Sequence, residues 1–453
     1  MNDSMTTDFT KGPIFRQLVK FALPFVLANL LQALYNIVDM VIVGRFVGSV
    51  GLSAVSVGGN VTMLLTCLAM GFSTGAQILI SQLVGRGDKD GVSRCIGTIF
   101  TSMLILGVAV TVVGLALVNC FADWLNTPAE AYDQARYYMY ICIGGMIFTV
   151  GYNAVSAVLR GMGDSKRPLL FITIASVTNL VLDLLFVVWL GMSAAGAALA
   201  TIIGQAVSFI FSIVYLYRRR TAFGFDFRRA SFRIDTALLK IFVKLGLPMT
   251  LQWGAVSVSY TVISAAVNTY GLAASAISGA GGKLTSILGV FAGSIQTAAS
   301  GMVGQNISAG ELERTKKITL CAEAICITCG VVVCALVLIF PRPLISIFTS
   351  DEDVLALSRM YMNATAAGYF ASFLMSPTNG LIQGVGAMTF NFVVALIDSV
   401  IARIGLSLLL GGVLGFGLSG FWWGGSLAGY VTVVAGFWFL FSGRWKKYKL
   451  LDQ

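Results

Sequence analysis

Apolar runs of more than twenty residues recur between residues 15 and 443, separated by short polar or glycine-containing connections. Each is long enough to cross a hydrocarbon core of about 30 Å as a helix. A membrane barrel would instead show segments of about ten alternating residues, and none is present. The pattern predicts twelve helices, over 15–44, 52–84, 94–118, 132–160, 168–190, 194–218, 239–268, 275–305, 316–340, 354–383, 388–411 and 417–443. Several exceed the minimum of about 20 residues, which implies tilt or extension beyond the bilayer. The first run is too long for a signal-peptide core and has no small-residue cleavage site, so it reads as a retained span.

Composition agrees with this reading. Of 453 residues, 57% are hydrophobic and 11% charged, whereas a soluble domain carries about 25% charged residues. The net charge of +10 raises the question of nucleic acid, but its placement follows topology. With a cytoplasmic N-terminus, 24 of the 30 basic residues fall on the inside, Lys449 among them. Only Arg45, Arg136, Arg342 and Arg359 lie outside. By the positive-inside rule both termini are then cytoplasmic in a multi-pass inner (plasma) membrane protein, and no nucleic-acid partner is expected. The longest hydrophilic connection, the basic stretch 221–238, separates a first lobe of helices 1–6 (1–220) from a second lobe of helices 7–12 (239–453).

The two sets of six helices are related. At an offset of 223 residues, "FADWLNTPAEAYDQARYYM" from 121 lies over "LISIFTSDEDVLALSRMYM" from 344. "GGN" at 58–60 lies over "GGK" at 281–283, and "RGMG" at 160–163 over "QGVG" at 383–386. The first helices align one residue later, "LP" at 23–24 over "LP" at 247–248. An even number of spans per half gives both halves the same orientation, a parallel repeat of the kind found in transporters.

Ionisable residues at bilayer depth cost about 2.5–3.5 kcal/mol each on insertion scales, so each calls for a partner or a pathway. The candidates are Asp39, Asp183, Lys283, Glu323, Asp398 and Arg403. In "LLQALYNIVDM", residues 30–40, Asn29, Gln32, Asn36 and Asp39 form a polar stripe on an otherwise apolar helix. Asp39 and Asp183 both fall roughly 7–11 Å below the outer surface at 1.5 Å rise per residue. Asn179 shares a face with Asp183, and Thr201 on the returning sixth span reaches the same level. Two carboxylates, an amide and a hydroxyl suit a hard cation such as Na⁺ or a shared proton. No basic residue in the first six spans can neutralise them. The set is not repeated: Asn179, Asp183 and Thr201 correspond to Ala402, Leu406 and Gly424 in the second half. For Lys283, Asp398 and Arg403, a local ion pair and a role in a central cavity both remain open. Glu323, near the inner end of the ninth span, reads as a snorkelling side chain.

Absences narrow the chemistry. There is no histidine, so proton chemistry near neutral pH falls to carboxylates. The eight cysteines all lie in or beside apolar segments and read as small packing residues; Cys326 and Cys329 form a CxxC with no second pair. No GxxxxGK[ST] motif is present, so no ATPase domain and no cofactor are expected. "GFGLSG" at 415–420 follows no strand and reads as a glycine-rich helix entry.

The opening "FALPFVLANLLQALYNIVDMVIVG", the "LRGMGDSKRP" after the fourth span and the two six-helix halves resemble the multidrug and toxic compound extrusion (MATE) family over nearly the whole chain. The resemblance implies an all-α membrane fold of two pseudo-symmetric six-helix bundles in a V, not an enzyme. It also implies antiport of amphipathic, often cationic compounds against inward H⁺ or Na⁺. Asp39, Asn179, Asp183, Thr201 and Tyr35 match the cation and proton site of the DinF-like branch, and Pro24 matches a proline where the first helix bends. The seventh span, "QWGAVSVSYTVISAAV", lacks the acid of the NorM-like branch. Substrate is expected against Asn36, Gln252, Trp253, Tyr260, Lys283, Gln296, Tyr369, Asp398 and Arg403 in a monomer embedded in lipid. The alternatives are a lipid-linked precursor flippase of the same superfamily and an exporter of one anionic or zwitterionic metabolite, since Lys283 and Arg403 favour an acidic group.

Overall fold

The computed structural model describes residues 6–125, 127–448 and 450–452. Asn126, within the repeat, and Lys449, counted among the inner basic residues, lie outside them. The main helices are α1 (Ile14–Phe46), α2 (Gly48–Arg86), α3 (Lys89–Ala116), α4 (Tyr132–Gly144) and α5 (Met146–Gly161). Then follow α6 (Lys166–Trp189), α7 (Ser193–Arg218), α8 (Thr236–Asn268), α9 (Leu272–Ser308), α10 (Leu312–Ile339), α11 (Ser358–Gly384), α12 (Met388–Val413) and α13 (Gly417–Phe441). Among the described residues ten helices are long and apolar enough to cross a bilayer, and α4 with α5, bent by 44°, makes an eleventh. The remaining expected span, 354–383, is present as α11; it has 27 residues but carries more polar side chains. Helical spans follow from the solvent: in hydrocarbon every backbone N–H and C=O must be satisfied within the segment.

The expected break at 45–51 shrinks to Val47 alone. The turn between α2 and α3 shows ordinary cap chemistry. Gly87 closes α2 in the left-handed region at φ 75°, and the Asp88 carboxylate accepts from the Gly91 amide at 2.7 Å.

Two compact units form. One comprises residues up to Asp8 with Pro24–Thr250, the other Phe9–Leu23 with the chain from Leu251 onward. These bounds differ from 1–220 and 239–453 because α1 and α8 each change unit partway along, at Pro24 and just after Pro248. A proline in a helix removes one backbone hydrogen bond and kinks the axis, so each helix changes unit where its ladder is already broken. The stretch 221–238 is not a free linker. Asp235 pairs with Arg94 at 3.2 Å, Thr101 donates to the Phe232 carbonyl at 2.7 Å, and a Cβ on Gly97 would meet the Ser231 carbonyl oxygen at 1.8 Å.

The repeat has a packing basis. In the first unit a Cβ on Gly58 would lie 2.4 Å from the Tyr138 ring; in the second, one on Gly281 would lie 2.1 Å from the Tyr361 hydroxyl. A Cβ on Gly161 would lie 2.7 Å from the Gln77 carbonyl oxygen, and one on Gly384 would lie 2.7 Å from that of Ser300. The same two glycine contacts thus hold α2 to α4 and α5, and α9 to the two ends of α11. Gly161→Ala and Gly384→Ala are each expected to lower stability by about 1–3 kcal/mol through overpacking. Gly59→Ala, whose Cβ would meet nothing within 4 Å, should not. Thermal unfolding in detergent distinguishes them; equal melting of all three contradicts the packing.

Candidate functional site

The first unit assembles its polar residues from α1, α6 and α7. On α1, Asn29, Gln32 and Asn36 are exposed, Tyr35 is half-buried and Asp39 is buried. On α6, Asn179 and Asp183 are buried, at 4% and 1% exposure. Asp183 is the last α-helical residue before a π-helical stretch, Leu184–Trp189; such bulges are frequent at functional sites. Close approach of α6 and α7 depends on Gly204, where a Cβ would come within 2.8 Å of the Ala175 carbonyl oxygen and 3.3 Å of the Asn179 side chain.

The expected set comes together. The carboxyls of Asp39 and Asp183 lie within hydrogen-bonding reach of one another, and Tyr35 is in electrostatic range of both. Asn179 donates its amide to the Thr201 hydroxyl at 3.4 Å. One oxygen of each carboxyl has no hydrogen-bond partner among the described residues. Beside them is a cavity of about 10 Å³ lined by Tyr35, Ala175, Ser176, Asn179, Thr201 and Gln205, room for about one water. Ser176 and Gln205 were not anticipated, although each stands one turn from a recognised member, Asn179 or Thr201. No basic side chain of this unit forms an ion pair with either acid among the described residues. Two carboxylates this close repel unless a proton or cation lies between them. The arrangement can therefore bind one or the other.

In the second unit Asp398 and Arg403 pair at 3.2 Å. A spacing of five does not bring side chains together on an α-helix, which favours three and four. Here the segment Ile397–Ile404 is π-helical, and its wider turn aligns them. Thr432 donates to Asp398 at 3.1 Å, and Arg403 donates to the Tyr260 hydroxyl at 3.0 Å with its guanidinium 5.1 Å from that ring. Trp253 and Tyr260 are exposed on α8, while Gln252 accepts from Asn391 at 2.8 Å. Lys283 is exposed, and no ion pair for it is found among the described residues; Gln296 is half-buried. Two expectations are corrected. Tyr369 is 5% exposed, packed in the core and accepting from Thr285 at 3.3 Å, so it is not on an open wall. Glu323 does not snorkel: it is 4% exposed, near the middle of α10.

An all-helical membrane protein built from two copies of one plan, with a buried acid pair in one of them, defines a membrane transporter rather than an enzyme. The chain belongs to the MatE family, whose model matches residues 24–185 and 248–409, one segment per half. It is 30% identical over 446 residues to "Probable multidrug resistance protein YpnP" of Bacillus subtilis, covering 98% of this chain and 99% of that one. It is 24% identical to "Probable multidrug resistance protein NorM" of Thermotoga maritima, with 97% and 95% covered. Among solved structures, a MOP superfamily transporter from Pyrococcus furiosus aligns with a TM-score of 0.91 at 23% identity, over 98% of this chain and 99% of that chain.

When both carboxylates are ionised, as alkaline pH favours, two negative charges face each other. Asp183→Asn should then melt above the wild type, with the difference shrinking as pH falls. Melting curves across pH check this, and a constant difference contradicts the close approach.

Proposed function

We propose that the chain is a secondary antiporter of the cell membrane that exports amphipathic, chiefly cationic organic compounds in exchange for H⁺ or Na⁺. The observation that carries this reading is the mutual approach of Asp39 and Asp183 without a basic neighbour. Such a pair binds the coupling ion in one conformation and releases it in another, with Asn179, Thr201 and Tyr35 holding the carboxyls in place. The names of the B. subtilis and T. maritima relatives, both probable multidrug resistance proteins, support the drug-export part. So do the exposed Trp253 and Tyr260, whose ring faces attract organic cations. Pro24 supplies the bend in α1 that links ion binding to movement of the helix bearing Asp39. The protein works as a monomer with both termini cytoplasmic.

A second reading rests on Lys283, exposed at bilayer depth without an ion pair among the described residues: export of a compound bearing an acidic group. Arg403 lends this little support, since Asp398 already neutralises it. A panel of cationic and anionic compounds separates the two readings.

The test is efflux by purified protein in proteoliposomes under H⁺ and Na⁺ gradients imposed separately. Asp39→Asn is expected to abolish gradient-driven efflux, a loss of at least tenfold, while size-exclusion behaviour stays unchanged. Full efflux by that variant removes the coupling assignment. Thr201→Ala is expected to reduce efflux partially, and more under a Na⁺ than an H⁺ gradient if the hydroxyl is an ion ligand.

A further inference from the structure

The second unit holds a buried acid that neither the fold nor the coupling pair uses. Glu323 sits near the middle of α10 at 4% exposure, and both carboxyl oxygens are buried without a hydrogen-bond partner among the described residues. No ion pair to it is found among the described residues. Its ionisable neighbour is the Cys326 thiol, one turn away, with Cys329 beyond. The helices packed on α10 put their ionisable groups elsewhere: Lys283 on α9, and Arg359, Tyr361 and Tyr369 on α11, all lie toward the opposite end of those helices. Lys316 and Lys317 mark the start of α10.

What lies level with Glu323 is the proline inside α11, Pro377. The Cys334 thiol contacts the Ala366 carbonyl at 3.3 Å, and a Cβ on Gly330 would meet the Phe370 ring at 3.1 Å. These contacts step antiparallel along α10 and α11, and continuing the register brings Glu323 to the level of Pro377. Pro377 has no N–H, so the Phe373 carbonyl lacks its helical donor. The Asn379 Oδ1, half a turn further on, is also buried without a partner. One buried carboxyl, one carbonyl missing its usual helical donor and one amide oxygen without a partner among the described residues thus share one depth. An ionised carboxylate here, with no cation and no donor, is heavily disfavoured. At the 223-residue offset the counterparts of Glu323 and Pro377 are Phe100 and Ala154, so the feature belongs to the second unit alone.

We propose that Glu323 is a second proton-binding site, separate from Asp39 and Asp183, which carries its proton while sealed against α11 at Pro377 and exchanges it with water when that stretch opens. The step is one O–H bond formed and broken, with water as proton donor and acceptor. Its use in transport rests on the antiport reading above; the protonation itself does not.

The experiment uses the full chain in lipid nanodiscs and infrared difference spectra at neutral pH in H₂O and D₂O. A protonated carboxyl band is expected that persists in the Asp39→Asn/Asp183→Asn variant and disappears in Glu323→Gln. Pro377→Ala, which restores an N–H to the Phe373 carbonyl, is expected to slow deuterium exchange of that band several-fold. In proteoliposomes, Glu323→Gln should lower the number of protons moved per substrate while efflux remains proton-driven. An ionised Glu323 at neutral pH, or an unchanged proton-to-substrate ratio in a folded Glu323→Gln protein, overturns the proposal. Should Glu323→Gln fail to fold, persistence of the band in the double Asp variant, with slowed exchange in Pro377→Ala, decides the matter. If efflux follows no ion gradient even in the wild type, the antiport reading falls while the infrared result stands independently.

Discussion

An unpaired polar group in hydrocarbon has no water to turn to, and this constraint sets the structure at every level. It makes the backbone helical, since only a helix satisfies its own N–H and C=O groups within one segment. It makes each intramembrane charge expensive, so that six such residues among twelve spans call for individual explanation. It also turns a proline into a structural event. In water a lost hydrogen bond is replaced by solvent; in lipid the freed carbonyl must be met by another part of the protein. The prolines at 24, 248 and 377 accordingly mark places where the architecture changes: two helices pass between compact units at the first two, and the third faces the level of a buried acid.

Helix association within each unit cannot draw on a hydrophobic difference between lipid and protein, and it relies on close packing of small residues. The glycines at 58 and 281 receive Tyr138 and Tyr361, and those at 161 and 384 receive the carbonyls of Gln77 and Ser300. A repeat that is faint as letter identity is clear as a pair of steric contacts. The two halves share the positions where a Cβ cannot fit and differ in the chemistry between them.

Much of this was legible in the sequence because the bilayer imposes strict periodicity. The predicted helices appear, the fourth as two helices bent by 44° at Gly145, and the Asp39–Asp183 approach followed from depth along two helices running the same way. What could not be read was anything dependent on which neighbour fills a given space. Gln205 and Ser176 line the same cavity as Asn179 and Thr201, but a polar residue one turn from a site looks like any helical polar residue until the facing helix is known. The Asp398–Arg403 pair was open because a spacing of five is a poor pairing distance on an α-helix; the π-helical turn that cures it leaves no simple mark in the sequence. Glu323 was misread as snorkelling because hydropathy gives its distance from a helix end and not which neighbours cover it, and they leave it 4% exposed. The unit boundaries were misplaced because hydrophilicity locates the longest connection, while the packing that defines a unit changes at a helix kink.

The two halves therefore share a scaffold and differ in how they handle charge. The first unit holds two acids together with no basic ion-pair partner among the described residues. The second closes its acid Asp398 internally with Arg403, Tyr260 and Thr432, which leaves nothing for an ion to complete. A closed pair of that kind is electrically neutral. Glu323 fits neither pattern. It is neither paired with a like charge nor neutralised by an opposite one, and a carboxyl so placed can change state only by taking or losing a proton when its surroundings open. Asymmetric chemistry on a symmetric frame lets the same plan place a close pair of acids in one unit and a single lone acid in the other.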